Sequence, residues 1–236
     1  MTVTGLIHRQ AEALEHLLVG YRTEPESRTD RAKQTELDRF TIAISREIGT
    51  PALEVAQQVG DRLAWPVYDR EVPKRIAEEL HLPLAAVEGM DERRKSWLLE
   101  CFEAFGSGRE LSQSRYFHHL ICVVRSLGEQ GHCLIMGHAA AFLLPPQQTL
   151  RVRLVGDRHD RIAALGRASR LDHWTATRQL DQINHEHSRF MREHFHVDPS
   201  QPRSYDLVLN TSQWSPSDCS EFILHALRQK ATGRQS

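Results

Sequence analysis

From Phe40 onward, two hydrophobic patterns alternate along the chain. Short strand-like runs rich in apolar residues predict strands: FTIAIS (40–45), HCLIMG (132–137), LRVRLVG (150–156) and YDLVLN (205–210), with WPVYD (65–69) as a further short one. Between them, apolar residues recur at helical spacing. Helices are predicted over PALEVAQQVGDRL (51–63), REVPKRIAEEL (70–80), 82–105 in one or two pieces, 112–130, 157–170, 175–195 and 215–230, the last with Ser215 as N-cap. Strands separated by helices imply parallel βαβ units. The expected fold is therefore α/β, a doubly wound five-stranded parallel sheet. In such sheets ligands bind beyond the carboxyl ends of the strands. That directs attention to the turns after Ser45, Asp69, Gly137, Gly156 and Asn210.

The first 38 residues differ from the rest. Leu6, Ile7, Ala11, Leu14, Leu17 and Leu18 fall at helical spacing within residues 4–20. The following stretch, YRTEPESRTDRAKQTELDR, has almost no apolar residues. The expected organisation is an N-terminal helix and polar linker over 1–38, then one domain over 39–232.

Composition narrows the class. The chain has 236 residues, 40% hydrophobic and 26% charged, with a formal net charge of -1. No whole-molecule field draws it to nucleic acid or membrane. The stretch 131–150 lacks Asp, Glu, Lys and Arg, but two histidines, Gly137 and Pro145–Pro146 make it a strand, turn and short helix rather than a span. Cys101, Cys122, Cys133 and Cys219 form no CxxC pair and no signal peptide precedes them, so reduced thiols and a cytoplasmic location are expected.

Three places carry candidate chemistry. In SREIGTPALEVA (45–56), a strand passes through Gly49 into a helix N-terminus, whose free N–H groups suit phosphate. Thr50 is positioned to cap and Pro51 to occupy the first helical position. Pro51 lacks an N–H, Leu53 carries no charge, and GxxxxGK[ST] is absent. The stretch fits either a phosphate loop or a well-capped βα turn. In IMGHAAAF, Gly137 ends a strand and His138 opens a helix, as a ligand contact or as a turn cap. Arg158, Arg161, Arg167, Arg170, Arg178, Arg189 and Arg192 form a phosphate clamp or a solvated helix face. The histidines 173, 185, 187, 194 and 196 lack the i, i+4 spacing of metal helices, so no metal site is expected.

In order, TIAISREIG, PVYDREV, IMGHAAAFLL, LRVRLVGDRHDRI, INHEHSRFMREHF and SYDLVLNTS resemble the cytidylate kinase-like family over roughly residues 40–228. The resemblance implies a P-loop nucleoside-monophosphate kinase fold in which ATP with Mg²⁺ donates a phosphoryl group to an acceptor such as CMP. It assigns the phosphate loop to Ser45, Gly49, Thr50, Pro51, Ala52, Leu53 and Glu54, with Arg46 and Glu47 in the same match. It places the acceptor near Asp69, Gly137 and His138, and catalytic arginines at Arg46, Arg161 and Arg189. A lid falls at about 166–200. Relative to the family pattern, Pro51, Ala52 and Leu53 replace two glycines and a basic residue. His138 and His187 replace arginines, and Asn184 replaces an acid. Losing the loop cation and an amide donor weakens transition-state charge stabilisation by roughly several kcal/mol. His138 and His187 substitute only when protonated.

Three functions follow. One is a cytidylate kinase-like phosphotransferase acting on a nucleoside monophosphate or another small phosphate acceptor. Another is a catalytically impaired nucleotide-binding or regulatory module, a pseudokinase on the same fold. The last is an interaction role in which the helix at 4–20 docks a protein partner or a second copy.

Overall fold

The computed structural model describes residues 37, 39–69, 120, 121 and 123–233. The chain divides into two units, Met1–Glu36 and Leu37–Ser236, and all the described residues belong to the second. The predicted helix at 4–20, the linker, the helices at 70–80 and 82–105 and the start of the 112–130 helix lie outside the described residues, as do Cys101 and Cys122.

The five predicted strands form one sheet. They are β1 (Thr41–Arg46), β2 (Val67–Tyr68), β3 (Cys133–Met136), β4 (Thr149–Val155) and β5 (Leu207–Asn210), in the order β2-β3-β1-β4-β5. Every neighbouring pair is parallel. The apolar-rich runs follow from this: a parallel sheet is covered on both faces, so its inner strands bury alternate side chains in both directions. Thr41–Ile44 and all of β3 are buried. On one face, Ile42, Ile44, Leu134, Met136, Val152 and Leu154 pack with helix α1 (Ala52–Leu63) and helix α5 (Pro216–Thr232). On the other, Thr41 Oγ1 and Cys133 Sγ donate to the carbonyls of Gly128 and Leu127, in the helical stretch 123–130. The short helix α2 (Ala140–Leu143), α3 (Arg158–Ser169) and α4 (His173–Phe195) complete the order, and α3 and α4 pack through Ile162, Leu165, Ala176 and Leu180. The result is the doubly wound sheet expected.

The caps fix several boundaries. Ser215 caps α5 with a reciprocal bond to Asp218, as the sequence predicts. Helix α4 starts two residues earlier than expected because Asp172 accepts from the Thr175 N–H at 3.0 Å. Thr50 does not cap α1. Its Oγ1 and N–H both turn back to the Glu47 carbonyl, at 2.8 and 3.3 Å, and Pro51 stands at the cap position. His138 does not open a helix either. It is the middle of three left-handed residues, Gly137, His138 and Ala139, with φ of 73, 52 and 55°, and the helix begins at Ala140. Cys133 and Cys219 are buried, and burial pushes the Cys219 thiol up. Among the described residues, no helix is long and apolar enough to cross a membrane.

Asp206 locks the amino ends of β4 and β5. It accepts from the Arg151 N–H at 2.8 Å, from Arg151 Nη2 at 3.0 Å and from Lys230 Nζ of α5 at 2.6 Å. Burial opposes the charge, but these bonds prevail and hold the carboxyl below its usual range. Asp206→Ala is expected to lower the unfolding free energy by about 1–2 kcal/mol, a modest figure because the pair is partly exposed. Urea denaturation at pH 7 measures it.

Candidate functional site

The carboxyl edge of β1 is where the predicted residues meet. As β1 ends, its backbone runs through Glu47, Ile48 and Gly49 to the first turn of α1. The Thr50 N–H bond to the Glu47 carbonyl closes a four-residue turn with Gly49 third, where φ of 86° suits glycine. The turn lies hard against α3. A Cβ on Gly49 would stand 2.5 Å from the Arg161 carbonyl oxygen.

Glu47 organises what surrounds that turn. Its Oε2 accepts from Arg161 Nη1 at 3.0 Å and from the Gly156 N–H at 3.2 Å. Its Oε1 lies 3.9 Å from Arg153 Nη2. Arg161 also donates from Nε to the Ile48 carbonyl at 2.8 Å and from Nη2 to Asn184 Oδ1 at 3.0 Å. Arg161 is thus a buried clamp joining the β1 turn, α3 and α4. Burial lowers its guanidinium pKa, and the Glu47 charge opposes this.

A second group lies toward β2 and β3. Arg46 Nη2 pairs with Asp69 Oδ1 at 3.3 Å. The carbonyl of the same Asp69 lies 2.8 Å from His138 Nε2, and since a carbonyl only accepts, Nε2 carries the proton. Gly137 opens space beside Arg46, whose Nη1 would lie 3.8 Å from a Cβ there. Arg46, Asp69, Gly137 and His138, predicted from distant parts of the sequence, are therefore neighbours.

Beneath the edge lies Arg153, which the sequence reading did not single out. It pairs in register with Ser45, donates from Nη1 to Ser45 Oγ at 2.7 Å, and packs against the Tyr205 ring at 5.8 Å. The Tyr205 hydroxyl donates to the Pro199 carbonyl at 2.9 Å and sits 3.3 Å from Ser45 Oγ. The available signal was LRVRLVG itself: a charged residue on an inner strand of a parallel sheet needs a buried partner.

The remaining predicted residues take separate positions. Ala52 is buried in the core, whereas Leu53 is 48% exposed. Glu54 is exposed and accepts from Gln58 one turn on. Arg189 is on the exposed side of α4, where its Nε donates to Glu193 at 2.8 Å. Arg158 pairs with Asp181 across α3 and α4. Within α4, Leu180, Asn184, His187 and Met191 recur at helical spacing; Leu180 and Met191 are buried and Asn184 meets Arg161. His187 lies on this inward stripe. Burial first, then the Arg153 and Arg46 charges, push its imidazole from 6.5 down to about 4. The ring is neutral at pH 7, so it supplies no positive charge in place of an arginine. Among the described residues no group of three or more His, Cys, Asp or Glu side chains is placed to hold a metal ion.

The sequence matches the family described as cytidylate kinase-like over residues 41–213, which spans the whole of this edge and the sheet below it. The chain belongs to the cytidylate kinase-like family. Membership carries a nucleotide kinase-like character at that general level. Comparison with curated proteins finds no significant match. Among solved structures, an uncharacterized protein from Eubacterium ventriosum is similar, with a TM-score of 0.58 and 15% identity over 80% of this chain and 98% of that one. At that identity the likeness speaks for the fold, an α/β parallel sheet consistent with the P-loop kinase type.

Two outcomes follow from this cytidylate kinase-like site. Gly49→Ala forces a methyl group into the Arg161 backbone at a left-handed residue, and is expected to destabilise the domain by about 2–4 kcal/mol in thermal unfolding. His187 binds fewer protons when folded than when unfolded between pH 6.5 and about 4. Its contribution to stability is therefore full above pH 6.5 and is lost as pH falls toward 4, on the order of 2–3 kcal/mol. Urea titrations of the wild type and His187→Gln across that window read the contribution as the difference in slope.

Proposed function

We propose that this cytidylate kinase-like domain binds the phosphate end of a nucleotide at the carboxyl edge of β1, and that phosphoryl transfer at this site is impaired. Binding is supported by the α1 N-terminus. Its first intrahelical bond is Val55 N–H to the Pro51 carbonyl, so the N–H groups of Ala52, Leu53 and Glu54 precede it and suit phosphate oxygens. Arg46, with its side chain 34% exposed, stands beside them on the same edge.

The observation that carries the impairment is the state of the positive charges. Three guanidiniums, Arg46, Arg153 and Arg161, face two carboxylates, Glu47 and Asp69, leaving one net positive charge. His187 is neutral, and the exposed Leu53 stands where the family pattern has a basic residue. Phosphoryl transfer depends on neutralising charge that spreads over the transferred group. The magnesium ion that such chemistry uses also lacks a fitting protein donor set among the described residues. The Thr50 hydroxyl is turned onto the Glu47 carbonyl, and both carboxylates are paired with arginines. A magnesium ion here would be held by nucleotide phosphates and water.

The second reading is an active kinase with CMP or another small monophosphate as acceptor. Its support is the contiguity of Arg46, Asp69, Gly137 and His138, with the Arg46 guanidinium partly exposed among them.

Calorimetric titration of the full chain with ATP plus Mg²⁺, then with CMP, followed by a turnover assay, separates the two. Binding heat without turnover is the expected result. Turnover of about 1–100 s⁻¹, the usual range for kinases, would establish the second reading. No heat with either nucleotide, in folded protein, would overturn both.

A further inference from the structure

The outer side of β5 is open. Among the described residues, β5 closes the sheet there with no strand beyond it. The ladder bonds decide which of its backbone groups face outward. The Glu47 N–H donates to the Leu154 carbonyl at 3.0 Å, so the even-numbered residues of β4 bond to β1 and the odd-numbered ones to β5. The Thr211 N–H accordingly meets the Val155 carbonyl at 2.8 Å. With Arg153 beside Val208 in the register, Leu207 and Leu209 continue that ladder inward. The N–H and C=O of Val208, the N–H of Asn210 and the C=O of Asp206 are therefore turned away from the sheet. The Val208 side chain is 40% exposed, on the face opposite the core-packed Leu207 and Leu209. On the core face, α5 flanks the same side. Its Glu221 pairs with Arg62 of α1, whereas Phe222 falls on the flank away from α1, in a stripe with Ala226 and the Lys230 that holds Asp206. Phe222 and Trp214 meet edge to face at 5.1 Å and remain 37% and 48% exposed.

We propose that β5 is a dimerisation strand, on which β5 of a second copy of this chain pairs antiparallel about a two-fold axis at Val208. The occupant follows from the register, which reads the same in both directions. Val208 lies opposite the second copy's Val208, and the two exchange their N–H and C=O bonds. Two residues away, each Asn210 N–H donates to the Asp206 carbonyl of the other copy. The two valine side chains, exposed in a single copy, cover each other. The charges agree with this pairing. Asp206 is the one charged residue between 205 and 214, and Arg151 and Lys230 already neutralise it. The register sets it opposite Asn210, so no like charges meet. The strand LVLN also holds no lysine or proline, the residues that keep an edge single. Four strand residues a side, with Trp214 and Phe222 beside them, fall short of the roughly 20–30 residues a side of a standard interface, so the dimer is expected to be weak and to form on concentration. The two sheets join with their carboxyl edges pointing in opposite directions. Pairing therefore covers neither β1 turn, and the proposal stands independently of the nucleotide role.

Two measurements on the full chain test it. Analytical ultracentrifugation from about 10 μM to about 1 mM, a span that brackets a weak complex, is expected to pass from monomer to dimer. Val208→Lys sets two lysines opposite each other across the axis and is expected to weaken the dimer at least about tenfold. Trp174→Lys, a change at an apolar residue of α4 that is 65% exposed, is expected to leave it unchanged. In the wild type, hydrogen exchange at the Val208 amide, followed by NMR, is expected to slow as the dimer fraction rises. This second readout needs no variant to fold. A chain still monomeric at the highest concentration overturns the proposal, and so does a dimer that survives Val208→Lys in folded protein or that leaves Val208 exchange unslowed. Slow exchange at every concentration in a monomer also overturns it, and assigns the β5 edge to another segment of the same chain.

Discussion

Everything at the carboxyl edge depends on the Glu47 carboxylate. It is the counter-charge for Arg161, which is buried, and it faces Arg153, which is buried too. Arg161 in turn holds the β1 turn through the Ile48 carbonyl and α4 through Asn184. Removing one partner of such a pair leaves an uncompensated charge in a poorly solvated place, which costs about 3–5 kcal/mol. The same carboxylate accepts the Gly156 N–H just after β4. One side chain therefore fixes the ends of two neighbouring strands and, through Arg161, the two helices that follow.

The sheet and its carboxyl edge are held by different forces. The sheet is held mainly by apolar burial on its faces. The carboxyl edge is held by Glu47 and Asp69, each paired with an arginine.

The sheet was readable from the sequence because inner parallel strands are buried on both faces, and FTIAIS, HCLIMG and, apart from its two arginines, LRVRLVG are rich in apolar residues. The start of α5 was readable because Ser215 is a strong N-cap residue; its reciprocal partner Asp218 was not singled out. The site was readable in part. Arg46, Asp69, Gly137 and His138 are together as expected, but the turn at His138 was misread, since residue type gives no sign that three left-handed residues follow one another there. Thr50 looked like a cap, yet the tight Glu47–Thr50 turn offered its hydroxyl a nearer carbonyl. Arg153 and the neutral state of His187 arise from contacts between residues remote in the chain. No local pattern encodes those contacts.

Glu47 has a further implication for any phosphate that reaches Arg161. The carboxylate is attached to the same short turn, so it acts as a tethered competitor, present at a local concentration on the order of millimolar or above. An incoming anion does not fill a vacant seat beside Arg161; it exchanges with one already seated. Ligands with a single weak negative charge lose that exchange. A polyphosphate that met the α1 amides and Arg46 instead would leave Glu47 in place and would not have to enter it.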